Sequence, residues 1–174
     1  ADPALAATVE AEPGVRVPRS VDGFEMAVRA IVGQQVSVSA ARTTLHRLIT
    51  AASTRSAGNH DDETPAMPGF PAPAVVAELP DEAFGMPVAR RESIRALARA
   101  VAGGELDLEP GADRDETVKK LMDLPGIGAW TAGYVAMRAI GDPDIFLPTD
   151  LGARRGARAL GLPENPRALA EHAE

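Results

Sequence analysis

The sequence predicts an all-α fold, and three observations carry that expectation. Apolar residues recur at helical spacing in every long segment, the segments are joined mostly by short Gly- and Pro-containing loops, and no stretch alternates polar and apolar residues as a half-buried strand does. No internal repeat is visible. With 174 residues, 45% of them hydrophobic, the chain is long enough for one ordinary domain with a substantial core, or for two small ones.

Taken in order, residues 1–19 are Ala- and Pro-rich with weak periodicity and read as a lead-in, the stub of an upstream or fused domain. From Ser20 the pattern changes. Ser20 or Asp22 can cap a helix whose Phe24, Val28, Ile31 and Val32 share a face, and Gly33-Gln34-Gln35 interrupts it. A second helix from Ser37 to about Ala52 places Val38, Ala41, Leu45 and Leu48 on one stripe. Residues 53–73 hold four prolines, two glycines and an acidic cluster and are expected to form a long loop. Short helical pieces follow at 74–79 and 81–84, then a strong helix at 88–101 with Ile94, Leu97, Ala98 and Val101 inward and Arg90, Arg91, Arg95 and Arg99 outward. A helix over 113–123 turns Val118, Leu121 and Met122 inward. The hairpin 124–128, a helix over 129–140, an extended apolar segment Ile145-Phe146-Leu147 and a helix from Pro148-Thr149-Asp150 to about Leu160 come next. Residues 163–174 read as the opening of a further helix, which suggests a truncated end.

Composition excludes several chemistries. Without Cys there is no disulfide framework, no thiolate zinc site, no iron–sulfur cluster and no Cys nucleophile. There is no run of 18 apolar residues and no basic, then apolar, secretory leader, so no membrane partner and a cytoplasmic location are expected. The net charge of −7 argues against tight nonspecific binding to nucleic acid. Its distribution qualifies that argument. Asp61-Asp62-Glu63, Glu78 with Asp81-Glu82, and Glu105 to Glu116 hold twelve acids against the single Arg114, so the rest of the chain is net positive.

The stretch from Leu121 to Gly161 carries the candidate chemistry. Gly126 and Gly128, one residue apart and immediately before a helix, allow a tight bend that exposes consecutive N–H groups, an arrangement suited to a phosphate oxygen. A ligand-free turn between helices is the commoner outcome of such spacing. Trp130 and Tyr134, the only Trp and Tyr in the chain, lie at i and i+4 and share a helix face. They are either core residues or a platform for stacking bases and attracting cationic rings. Asp150 is either an ordinary helix cap or a carboxylate set in an apolar cleft to face a developing cation.

These residues carry a family resemblance. LPGIGAWTAGYVAMRAI followed by FLPTD, with DGFEMAVRAIVGQQVSVSAA and FGMPVARRESIRALA, resembles the helix-hairpin-helix glycosylase superfamily and, within it, the AlkA-type 3-methyladenine DNA glycosylases. The resemblance runs from about Gly14 to Gly161. It implies a helix-hairpin-helix glycosylase fold, all-α, an orthogonal bundle of helices over 20–174 with the hairpin motif at 121–140; an N-terminal β domain of the kind such enzymes can carry is not recognisable in these residues. It implies that Gly126, Gly128 and Thr131 meet the DNA backbone, beside a monovalent cation (Na or K) held by main-chain carbonyls near Met122, Leu124 and Ile127, with no other cofactor required. It implies further that Trp130 and Tyr134 line the base pocket, that Asp150 is the catalytic carboxylate and that Gln35, with Gln34, stands in the wedge loop where some relatives have Leu.

Bifunctional members of the superfamily have Lys two residues after the second hairpin Gly and form a Schiff base with the sugar. Here that position is Trp130, and the only lysines, Lys119 and Lys120, precede the hairpin. The expectation is a monofunctional base-excision enzyme of the bacterial cytosol or nucleoid, acting on alkylated purines flipped out of double-stranded DNA. The alternative is a noncatalytic helix-hairpin-helix module that binds the DNA backbone.

Overall fold

The computed structural model describes residues 2–57 and 69–173, and all the regular structure within them is helical. Helix α2, Gly23–Val32, is the centre. Asp22 caps it by accepting the Glu25 N–H at 2.8 Å, and eight of its ten residues are buried. A helix that is apolar on nearly every side has to be surrounded. Helices α3 (Val38–Ala57), α5 (Val88–Ala102) and α7 (Ala129–Val135) pack against it. The short α4 (Pro73–Ala77) and a 3₁₀ turn at Asp81–Ala83 close one side, α4 against α5 and the turn against α3, with Val76, Leu79 and Phe84 in the core.

Helix α6 (Arg114–Asp123) begins at Asp113, whose side chain accepts the Glu116 N–H at 2.9 Å, and it leads through the hairpin into α7. Helix α7 then widens into a π segment over Ala136–Ile140 that ends on left-handed Gly141, so the helix expected over 129–140 changes its hydrogen-bond pattern partway. Helices α8 (Leu151–Ala159) and α9 (Pro166–Ala173) complete the order. Among the described residues no helix is long and apolar enough to cross a membrane.

Several expectations are corrected. Residues 3–11 are helical (α1, Pro3–Ala11), capped by Asp2, whose carboxylate also reaches His172 of α9 at 2.7 Å. The segment after α1 is strapped to the end of α7: Arg19 donates to the carbonyls of Ala139 and Ile140, and the Ser20 N–H to that of Arg138 at 2.7 Å. Helix α3 continues to Ala57, so the first part of the expected 53–73 loop is helix, while residues 58–68, with Asp61-Asp62-Glu63, lie outside the described residues. Val38 and Met122, expected inward, are 72% and 50% exposed: Val38 shares the stripe of Leu45 and Leu48 but is the first residue of α3, and Met122 is turned roughly 100° around α6 from the buried Leu121. Arg91 and Arg95, expected outward, are largely covered and clasp Asp81 at 2.9 and 2.7 Å.

Candidate nucleic-acid interface

The two hairpin glycines do different work. Gly126 has φ +73°, and a Cβ there would strike the Ser93 hydroxyl of α5. Only glycine satisfies both conditions without strain. Gly128 is extended, has open space where a Cβ would stand and offers no side chain to cap α7. The first-turn N–H groups of α7 therefore lack a cap in a place that a ligand can approach. Ile127 between the glycines is 5% exposed and anchors the turn in the core.

Thr131, expected at the DNA backbone, is 4% exposed, and its hydroxyl accepts from Gln34 Nε2 at 2.9 Å. Its hydroxyl is thus engaged within the protein, through the same Gln34 amide that reaches the hairpin. Gln34 also donates to the Gly126 carbonyl at 3.4 Å, so its amide is held on the hairpin and is turned from any wedge position. Gln35 is the exposed member of the pair. It has φ +55°, the one non-glycine in the left-handed region among the described residues. Such a conformation costs about 1–3 kcal/mol and persists where the surroundings dictate it.

Trp130 and Tyr134 are half-buried and stacked, ring centroids 5.1 Å apart and planes 9° from parallel. Tyr134 packs on the core. The guanidinium of Arg138, one turn further on, stands 5.7 Å from the Tyr134 ring centre and donates to its hydroxyl at 3.3 Å, while its Nε is buried without a partner. The pair is thus one stacked unit, with Tyr134 resting on the core and the Trp130 ring lying against it.

Sequence reasoning passed over Gly133. A Cβ at this position would come within 3.0 Å of Leu147 Cδ2 and 3.5 Å of Ile145 Cγ2, so the extended segment 145–147 lies directly on α7, one turn from Trp130. The signal was present as a glycine in mid-helix, a costly residue there unless something approaches closely. The same segment delivers Asp150 to the start of α8. Oδ1 of Asp150 accepts the N–H groups of Gly152 at 2.7 Å and Ala153 at 3.1 Å, which fixes the carboxyl plane at the positive end of the helix. Among the described residues nothing hydrogen-bonds to Oδ2. Asp150 is half-buried, with Phe146 and Leu151 exposed nearby.

From this packing we expect Gly133→Val to push 145–147 off α7 and to carry Asp150 with it. Stability should fall by about 1–3 kcal/mol, the usual cost of overpacking, measured by urea denaturation. Unchanged stability would mean that the segment yields freely.

Of the arginines on α8, Arg154 donates to the Glu164 carbonyl at 2.9 Å and Arg158 pairs with the Glu164 carboxylate at 2.8 Å, whereas Arg155 is exposed. No cluster of three or more His, Asp or Glu side chains able to hold a metal occurs among the described residues.

No family model matches the chain. It is 44% identical over 172 residues to a probable bifunctional transcriptional activator/DNA repair enzyme AlkA of Mycobacterium tuberculosis, covering 99% of this chain and 34% of that protein. It is 40% identical over 143 residues to DNA-3-methyladenine glycosylase 2 of Escherichia coli, covering 80% of this chain and 49% of that protein. In three dimensions it matches the crystal structure of a DNA-3-methyladenine glycosidase from Bacillus halodurans with a TM-score of 0.75 and 29% identity, over 98% of this chain and 76% of the other. The chain resembles the AlkA-type glycosylases and has the helix-hairpin-helix glycosylase fold. It spans about a third to a half of the length of these two curated relatives.

Proposed function

We propose that this chain is the helical part of a monofunctional DNA glycosylase that hydrolyses the N-glycosidic bond of alkylated purines in double-stranded DNA. The observation that supports the reading is the seating of segment 145–147 on Gly133, in the helix that bears Trp130, three residues before a carboxylate, Asp150, with one unengaged oxygen. A module that only gripped the DNA backbone would need the hairpin and neither of these.

In this reading the uncapped N–H groups at Gly128 and the turn at Gly126 take a backbone phosphate, with Thr131 as their brace. The main-chain carbonyls of Met122, Leu124 and Ile127 would hold a monovalent cation beside it. Met122 lies in the last turn of α6, where carbonyls lack intrahelical partners, and the Leu124 carbonyl receives only the Ile127 N–H at 3.3 Å, so the oxygens suit such an ion. Its charge would add to the attraction for phosphate. Gln35 fills the gap left by the flipped base, and Trp130 receives that base on its outer face.

Alkylation at a ring nitrogen makes the base cationic and a good leaving group, so no strong general acid is required. As the bond breaks, the sugar gains oxocarbenium character. Asp150, oriented by the α8 N–H groups through Oδ1, stabilises that charge and positions water through Oδ2. With Trp130 where a Schiff-base lysine would stand, the reaction ends at base release. Such an enzyme belongs at the bacterial nucleoid. An assay of base release from methylated duplex DNA tests the proposal. Tight binding of damaged DNA with no release would favour the noncatalytic module.

Trp130 allows a finer check. Trp130→Ala should reduce release of cationic bases more than of neutral ones, by about fivefold or more, since the attraction of a cation to an indole face is worth roughly 1 kcal/mol or above. Equal losses on both substrates would make Trp130 a packing residue.

A further inference from the structure

The loop between α2 and α3 is tied at two points. Arg90 Nη2 of α5 donates to the main-chain carbonyl of Gln34 at 2.7 Å. The Gln34 side chain reaches across to the hairpin, donating to Thr131 Oγ1 at 2.9 Å and to the Gly126 carbonyl at 3.4 Å. The next residue, Gln35, is exposed and left-handed. Beneath them Ser93, one turn from Arg90 on α5, packs its hydroxyl close against Gly126 of the hairpin. Helix α5 thus touches both the loop and the hairpin, and Gln34 joins the two directly.

We infer that Arg90 and Gln34 are positioning residues that lock the Gln35 loop to the hairpin, so that the element filling the DNA gap and the element gripping the phosphate form one preorganised unit. The inference rests on the reading of Gln35 as the gap-filling residue. Its physical content is entropic and conformational. An unsupported glutamine relaxes out of the left-handed region, and the loop would then have to be reordered on the DNA each time a base is flipped. Arg90 prevents that by pinning the carbonyl of the peptide that enters the turn. Gln34 prevents the loop from moving independently of Gly126.

The test uses a duplex with a tetrahydrofuran abasic analogue opposite 2-aminopurine, whose fluorescence reports filling of the gap and requires no base excision. Wild type is titrated beside Gln34→Ala, Arg90→Met, Arg90→Lys, Gln35→Gly and the doubles of the first two with Gln35→Gly. Gln34→Ala and Arg90→Met should each weaken the gap-filling equilibrium by about tenfold, the effect of losing one strong hydrogen bond. They should have no further effect in the Gln35→Gly background, because there is then nothing to position. Arg90→Lys, which retains a cationic donor, should recover most of the signal. Equal losses with and without Gln35 would overturn the inference, as would full gap filling by Gln34→Ala and Arg90→Met, or an unchanged signal in Gln35→Gly. Excision of methylated bases measured in parallel separates the two claims: its absence beside an intact gap signal counts against the catalytic reading alone.

Discussion

Asp150→Asn should reduce base release by on the order of 10³-fold while leaving affinity for duplex DNA within about threefold of wild type. Asn is as good a helix cap as Asp, so the bonds from the Gly152 and Ala153 N–H groups survive, and with them the start of α8. What is lost is the negative charge. In the ground state that charge contributes little to DNA binding and if anything opposes it, since the ligand is a polyanion. In the proposed transition state it faces a cationic sugar, and stabilising that charge is what accelerates the bond's breaking. The expected signature is a fall in the single-turnover rate with little change in binding. Retained excision would remove Asp150 from the mechanism, and a parallel collapse of thermal stability would mean that its role is confined to capping.

The second large effect is expected at the hairpin, where two glycines allow a paired test. Gly126→Val places a β-branched residue at φ +73° and drives its Cβ into Ser93. The backbone term alone is about 1–3 kcal/mol. With the clash added, the melting temperature should fall by roughly 5–10 °C, and DNA affinity should fall with it because the turn can no longer present its N–H groups. Gly128→Ala is the contrasting case. The position is extended with open space around it, so stability should change by less than about 1 kcal/mol. A methyl group there nonetheless stands where a phosphate would approach, and affinity should drop about tenfold or more. If Gly128→Ala binds DNA like wild type, the hairpin is a connecting turn and not a phosphate site.

Much of the fold was legible because the signals are local. Helical spacing of apolar residues sets a buried face within one element, and the caps at Asp22, Asp113 and Asp150 act over two or three residues. The helices at 23–32, 88–102 and 114–123 lie within two residues of where spacing places them. The hairpin glycines and the aromatic pair at i and i+4 were equally visible, since a left-handed turn and a shared helix face need no distant partner. Errors arose where one helix meets several neighbours. Met122 lies off the buried face of its helix, Val38 lies on the buried stripe but at the exposed first residue of α3, and Arg91 and Arg95 are drawn inward by Asp81, a pairing that no periodicity encodes.

For the candidate site the division is sharper. The sequence by itself determined which residue types are available: a glycine turn before a helix, a Trp where a lysine would make a lyase, a carboxylate at a helix start, and no sulfur chemistry. The tertiary structure decided what each of them faces. It buried Thr131, joined it to Gln34 across 97 positions of chain, and left Gln35 exposed in a left-handed turn. It also showed why Gly133 is a glycine, because the segment carrying Asp150 passes where a side chain would stand. The reason is that caps, turns and helix faces are set by nearest neighbours along the chain. Which of a residue's faces is met by another element depends on how all the helices pack at once.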